Sequence, residues 1–194
     1  MKKLLLFISL IPLCSFGQGD AMTSVMYSIA IPMGKSSDFI DETSFRGFAV
    51  TGDYFLNDEW SLGFSTGVQT FYQEMGSQSY ELETLTVTGE EFRYINMIPA
   101  IVMAKYHLNR YGVLTPHVGI GAGFHWVEER REFAGFQFQE DSFRFGIQPE
   151  VGFGLEISPS TDLLFVSTYH QSFKSKNLQE HSFLAFQLGL RWLP

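Results

Sequence analysis

Cysteine is nearly absent from this chain, and it also lacks long apolar runs and an excess of basic residues. The single cysteine, Cys14, lies in an N-terminal segment that we expect to be removed, which leaves no thiol for a disulfide or a thiolate metal site. No stretch reaches the roughly 20 apolar residues of a membrane-spanning helix. With 13 Lys and Arg against 21 Asp and Glu, the chain has no basic stripe of the kind that binds nucleic acid.

The N-terminus has the layout of a secretory signal peptide. Two lysines precede an apolar core at 4–13, and small residues follow in position for cleavage before Gln18. Lipid attachment at Cys14 is an alternative, but the residues before it are not the small ones that such a site needs. We therefore predict a signal peptide at 1–17 and one exported domain at 18–194, which holds 11 basic and 21 acidic residues.

Aromatic residues and glycine are abundant instead, with 20 Phe and 18 Gly, and the segment 143–157 shows how they are arranged. Every odd residue of FRFGIQPEVGFGLEI is apolar, whereas the even residues are charged, amide or glycine. A period of two sends alternate side chains to opposite faces of a β-strand. Half-buried strands of soluble proteins keep this pattern for about five or six residues. Fifteen alternating residues are more typical of a strand that crosses a bilayer.

Six further segments alternate in the same way, and a seventh, 92–108, is apolar on both faces. The eight predicted strands are 23–33, 47–56, 59–73, 92–108, 113–127, 143–157, 162–173 and 183–193. The connections after the first, third, fifth and seventh strands are long and the others are short, so all long connections fall at one end. This rhythm is typical of a membrane barrel, which closes to leave no strand edge in lipid. We predict an all-β fold, an eight-stranded antiparallel up-and-down transmembrane β-barrel.

A soluble eight-stranded ligand barrel is the competing interpretation, because alternation alone does not say which face is inside. The glycines favour the membrane barrel. They lie on the polar face, in runs such as 119–123 and 152–154, where the narrow interior of eight strands has little room. In strand 92–108 both faces are apolar, and Arg93 and Lys105 identify the odd face as the interior.

The chain resembles the small eight-stranded outer-membrane barrels of the OmpA, OmpX and OmpW type. The likeness rests on IPMG at 31–34, PHVGIGAG at 116–123, PEVG at 149–152, and the polar residue, glycine and aromatic of the last strand at 187–192. The resemblance implies a monomer in the outer membrane with both termini in the periplasm. Its partners would be outer-membrane lipids, the barrel-insertion machinery and a surface or envelope protein.

Charged and histidine side chains collect on the predicted interior face. They are Asp53, Glu59, Arg93, Lys105, His117, Arg144, Glu150, Glu156, His170 and Arg191. Because charges in a narrow, partly dry lumen need partners, we expect a ladder of ion pairs that fills the barrel. Conduction of small or apolar solutes through a narrow channel is the alternative function.

His170 and Ser172 share one face of the seventh predicted strand, in a spacing similar to the His-x-Ser of outer-membrane lipid A deacylases. Such a site needs a carboxylate to orient the histidine, and the nearest downstream acid is Glu180 in a loop. Both residues also lie on the even-numbered face of this strand, which is the predicted interior, so the pair points into the lumen and away from lipid. We therefore predict no catalytic residue, no cofactor and no metal.

The long loops are the expected working surface. Aromatic residues lie among acids at Tyr80, Phe133, Phe136 and Phe138, and exposed apolar side chains surrounded by charge can mark a binding site. Extension of the strands above the membrane is the alternative, given the β-propensity of these segments. Our hypothesis is a structural or surface-interaction barrel that acts through these loops.

Overall fold

Eight strands form a closed barrel in which each strand pairs antiparallel with its neighbours in sequence and the last pairs with the first. A computed structural model describes residues 21–82, 85–174 and 179–193. The elements are β1 (Ala21–Met33), α1 (Lys35–Phe39), β2 (Ser44–Phe55), β3 (Trp60–Leu82), β4 (Leu85–His107), β5 (Leu114–Phe133), β6 (Phe136–Ser158), β7 (Thr161–Ser172) and β8 (His181–Trp192). The predicted fold class is confirmed. The predicted signal peptide at 1–17 lies outside the described residues.

The two faces of the wall follow the sequence alternation. Along β6, Phe145, Val151 and Phe153 point outward and are exposed, whereas Arg144 and Glu150 between them point inward and are buried. On β4 the odd face lines the interior, as the parity of Arg93 and Lys105 predicts. The apolar band therefore lies on the outside, where a bilayer would cover it.

The barrel has two unlike ends. Short turns and both described chain ends lie at one of them, which we call the terminus end. The other, the hairpin end, carries the segment between β1 and β2 and the β3–β4 and β5–β6 hairpins. No helix in the described part of the chain is long and apolar enough to cross a membrane.

The hairpins are longer than the sequence suggests. Residues 128–141, which read as a charged loop, continue β5 and β6 to a two-residue turn at Ala134 and Gly135, both with positive φ. The β3–β4 hairpin likewise pairs as far as Leu82 and Leu85. Both faces of the β5–β6 ribbon meet water, so the polar and apolar alternation that marks a strand disappears while the pairing continues.

Interior glycines face large side chains on the adjacent strand. Gly121 pairs with Met103, and a Cβ on Gly121 would collide with the Met103 sulfur and the Ile101 side chain. A Cβ on Gly146 would lie 2.5 Å from Nδ1 of His125. Glycine on the interior face therefore makes room for the side chains that fill the barrel.

Candidate functional site

The predicted interior residues occupy three kinds of position. Those buried inside the barrel are Asp53, Lys105, His117, Arg144, Glu150, His170 and Arg191. Arg93 is half-buried at the hairpin end. Glu59 is exposed outside the strands, which corrects its assignment to the lumen, whereas Glu156 is exposed at the terminus end, where it lines one cavity with the buried Asp162 and Arg191. Glu59 lies in the turn before β3, where its N–H donates to Asn57, and Glu156 lies where the β6–β7 register shifts, so both reach water.

Four of these side chains form one ion-pair cluster near the terminus end. The Lys105 Nζ lies 3.0 Å from Oδ2 of Asp53 and 3.1 Å from Oε1 of Glu150. The Nε2 of His117 is 3.6 Å from the same Glu150 oxygen. One cation thus bridges two carboxylates whose side chains are each 3% exposed. The cluster ties β2, β4, β5 and β6 together across the interior.

A second polar group closes the terminus end. Arg191 on β8 donates to Oδ2 of Asp162 on β7 at 3.0 Å and also to the Thr115 hydroxyl on β5. His107 lies 2.9 Å from the Ser61 hydroxyl. A cavity of about 240 Å³ opens beside these residues at the terminus end. Asp162 and His107 were not among the predicted site residues, although their parity on β7 and β4 already points them inward.

The middle of the barrel contains uncharged side chains, so the expected continuous charge ladder is absent from the described interior. His125 and His170 approach to 3.4 Å, and Gln148 donates to Ser65 at 3.4 Å. Apolar side chains share this interior with them, among them Ile101 and Met103. The predicted polar lumen is therefore corrected to a mixed one.

An apolar layer lies between the middle of the barrel and the hairpin end. Its buried members are Ala30, Ile40, Phe71, Ile95, Met97, Val127, Phe183 and Ala185. Ile40 comes from the segment between β1 and β2, which the sequence suggests is a polar loop. The segment bends over the mouth after α1 and places Ile40 inside the barrel with no exposed surface. We call residues 35–40 the plug.

Hydrogen bonds fasten the plug to the rim. The Ser36 hydroxyl lies 3.0 Å from Nδ1 of His181, and the Nε2 of His181 lies 2.8 Å from Oε1 of Glu129. Arg144 binds the same oxygen at 2.8 Å. On the opposite side, Arg93 donates to the Phe39 carbonyl at 3.0 Å and lies over the Phe39 ring.

Glu129 connects the plug to the barrel wall, and it lies beyond the last outward apolar residue of β5, Trp126. Burial alone would raise the pKa of Glu129, but the hydrogen bonds and charges of His181 and Arg144 outweigh it and hold that pKa below its ordinary value. Glu129 therefore remains ionised, and the attachment of the plug to the rim of the barrel depends on its charge.

The pairs Ser172–His170 and Ser36–His181 both lack the geometry of a hydrolase site. Ser172 is fully buried and donates to the carbonyl of His181, while His170 stacks on Phe183 at 4.3 Å. Ser36, His181 and Glu129 do lie in relay order, but the Ser36 oxygen accepts the N–H of Ser182 and the residue is 3% exposed. The Ser36 oxygen is therefore buried and already hydrogen-bonded, and these three residues attach the plug to the rim.

The predicted loop aromatics lie on the hairpins. Phe136 is 66% exposed and Phe138 is 60% exposed on β6. Phe133 ends β5 opposite Phe136 and is half-buried. Tyr80 pairs through its backbone with Val87, and its side chain lies outside the described residues. A groove of about 590 Å³ runs beside the β5–β6 turn, lined by Glu90, Phe92, Glu132, Ala134, Gly135, Gln137 and the two turn-flanking phenylalanines.

Solved structures share this barrel. OprG from Pseudomonas aeruginosa aligns with a TM-score of 0.55 at 11% identity, over 90% of this chain and 95% of OprG. Neisserial surface protein A aligns with a TM-score of 0.54 at 13% identity, over 90% and 96% of the two chains. Ail, the attachment invasion locus protein of Yersinia pestis, aligns with a TM-score of 0.51 at 15% identity, over 91% and 99%. At these identities the likeness concerns the fold.

No curated protein sequence matches the chain. The sequence profile of the OmpW family, in contrast, matches residues 33–163, which run from the end of β1 into β7. This match covers more than half of the chain and agrees with the eight-stranded architecture. The chain therefore belongs to the OmpW family and is a small outer-membrane β-barrel.

Proposed function

We propose that this protein is a closed, non-catalytic barrel that acts at the cell surface through its two long hairpins. In this proposal the hairpin end faces the exterior, and both termini face the periplasm. The observation that carries the proposal is the contrast between the two parts of the molecule. Side chains and the plug fill the interior, whereas the β3–β4 and β5–β6 hairpins extend beyond the apolar band, and the β5–β6 hairpin exposes Phe136 and Phe138.

The closed interior supports an interaction role over transport. A solute would have to pass the Lys105 ion-pair cluster, the central histidines and the apolar layer that includes Ile40. Separating buried ion pairs costs several kcal/mol, about 3–5 per pair when one partner is lost. Each layer therefore resists opening on its own.

The proposed orientation is supported by where the outer wall becomes polar. On β3, β4 and β5 the outward residues Thr70, Asn96 and Glu128 form a hydrogen-bonded row just past the apolar band. Beyond this row the hairpins carry many charges and continue for several more residue pairs. Long loops face outward and short turns face the periplasm in bacterial barrels of this type.

The experiment compares attachment of cells that carry the normal protein with cells that carry a barrel lacking 133–138, rejoined by a short turn. Loss of attachment to neighbouring cells or immobilised proteins, with normal membrane insertion, is the expected result. Replacing Glu140 with Gln, a single change on an exposed β6 position away from the turn, serves as the control. Unchanged attachment in the hairpin variant would overturn the proposal.

A narrow channel is the second candidate, and one observation favours it. Within the described residues, the buried Gln69 Oε1, His125 Nδ1 and Gln148 Oε1 have no hydrogen-bond partner, so water could enter the middle of the barrel. Cavities of about 240 and 280 Å³ lie at the two ends. Single-channel recording in planar bilayers separates the candidates, because steady conductance by the normal protein would contradict the closed interior.

A further inference from the structure

The β3–β4 hairpin projects beyond its neighbour as a two-stranded ribbon. Strand β4 pairs with β5 only as far as Glu91 and Phe133, but it pairs with β3 from Glu90 up to Leu85. Above the β5–β6 turn, therefore, no strand among the described residues lies beside the outer edge of β4. Unpaired strand edges are templates for another extended chain.

The turn at Ala134 and Gly135 explains why the pairing stops there. The Ala134 N–H donates to the Glu90 carbonyl at 3.3 Å, and a Cβ on Gly89 would lie 2.7 Å from the Ala134 Cβ. The turn is thus packed closely against β4. Alternate residues of a strand direct their backbone groups to the same side, so the N–H and carbonyl of Thr88 point past the turn along the free edge.

The groove beside the turn gives this edge a chemical preference. It lies at the base of the edge and combines Phe92, Phe133 and Phe136 with Glu90 and Glu132. The sequence from 74 to 91 contains five Glu and no Lys or Arg. This charge repels acidic segments and a second copy of the same ribbon, and it attracts a basic one.

We propose that the free edge of β4, which we call the docking edge (85–89), binds an extended basic segment of a partner protein by β-sheet addition. Apolar side chains of that segment enter the groove beside Phe136, and its lysines or arginines lie near Glu90 and Glu132. Backbone hydrogen bonds give the affinity, and the alternating side chains give the selectivity. This inference rests on the proposed surface function and names its partner class and binding mode.

The test uses the full barrel in lipid nanodiscs and a fluorescent peptide of about eight alternating Lys and Val residues, a length typical of a strand. Fluorescence anisotropy should show binding that weakens with salt. Two control probes should bind at least tenfold more weakly, one with Glu in place of Lys and one with N-methyl groups on two adjacent central residues. Equal binding of the N-methylated probe would overturn sheet addition.

Variants of the protein localise the site. Thr88→Pro removes an N–H from the docking edge and should weaken binding about fivefold, the loss expected for about one hydrogen bond. Thr88→Val loses the same side-chain bond to Ser79 but keeps the N–H, so its affinity should match the normal protein. Combining Glu90→Gln with Glu132→Gln should weaken binding about fivefold, as for two exposed charge pairs. Glu140→Gln is the control.

The outcomes distinguish this inference from the proposed function. If Thr88→Pro and Thr88→Val bind the peptide equally, and the paired Gln substitutions have no effect, the docking edge is wrong. If the barrel lacking 133–138 still fails to support attachment in that case, the proposed surface function is retained, and the partner binds in a way other than sheet addition to the docking edge. Should Thr88→Pro disturb the ribbon, the N-methylated probe and the Gln substitutions still decide the question.

Discussion

Replacing Lys105 with Met should destabilise the barrel by about 3–5 kcal/mol, the usual cost of removing one partner from a buried ion pair. The Lys105 amine lies 3.0 Å from Asp53 and 3.1 Å from Glu150, and all three side chains are at most 6% exposed. Without the amine, two carboxylates remain close together, and His117 lies 3.6 Å from that of Glu150. Each carboxylate then loses its cation and is repelled by the other carboxylate, and both changes lower the stability of the barrel.

Two further substitutions turn this into a test of which face is inside. Glu150→Leu leaves Lys105 paired with Asp53. This substitution should therefore lower the free energy of unfolding by about 3 kcal/mol, the lower end of the range expected for Lys105→Met. Phe153→Leu changes a side chain on the outer wall that is 41% exposed and stacks on Phe165, and should cost about 1 kcal/mol. Combining Lys105→Met with Asp53→Asn and Glu150→Gln should recover much of the lost stability, since no unpaired charge then remains.

The assay is urea unfolding of the protein in lipid vesicles, followed by heat-modifiable migration in SDS gels. The midpoint should fall most for Lys105→Met, less for Glu150→Leu and least for Phe153→Leu. If Phe153→Leu were the most harmful, the polar face would be outside, and the assignment of the interior would be refuted. If the triple substitution were worse than Lys105→Met alone, the carboxylate repulsion would not be the cause.

Three other predictions concern the plug and the buried serine. Ile40→Ser should release the plug, at a cost of about 2–4 kcal/mol for lost apolar burial, and so speed tryptic cleavage at Lys35 while the barrel stays folded. Because the pKa of Glu129 is held below its ordinary value, plug attachment should be complete above the ordinary carboxyl range and weaken as the pH falls below it. The Ile40 amide donates to the Ser36 carbonyl, and its protection factor against hydrogen exchange, which corrects for the intrinsic slowing of exchange in acid, should fall at acid pH in the normal protein and lose that dependence in Glu129→Gln. Ser172→Ala should leave lipid A acyl chains unchanged, as the normal protein does, and acyl release that requires Ser172 would contradict the non-catalytic proposal.

The strand parity could be predicted because each strand has lipid on one side and packed side chains on the other. Residues 143–157 show this most clearly, and β4 needed only the shared parity of Arg93 and Lys105 to identify its interior face. The odd and even alternation no longer predicts the direction of a side chain where a strand ends. Glu59 has the parity of the interior face, but it lies in a turn, where the backbone no longer fixes which way a side chain points.

The plug could not be predicted by the same reasoning. Ile40 is a single apolar residue between Phe39 and Asp41 in a charged segment, and no local period shows that it is buried. Its position depends on contacts with Phe71 and Phe183, which are far away in sequence. The hydrogen bonds of Ser36 to β8 are also long-range. Contacts of this kind become visible only when the barrel has closed.

The distribution of charge inside the barrel has a physical reason. The cost of burying an ion is highest where water is farthest away, and the middle of the lumen is that place. The Lys105 cluster and Arg191 lie toward the terminus end, Arg144 and Glu129 lie toward the hairpin end, and uncharged side chains occupy the space between them. Each ion cluster therefore lies closer to an end of the barrel, and to a cavity there, than the middle of the lumen does. It follows that the two ends are stabilised separately, so substitutions at the docking edge should alter binding without lowering the stability that the Lys105 cluster provides.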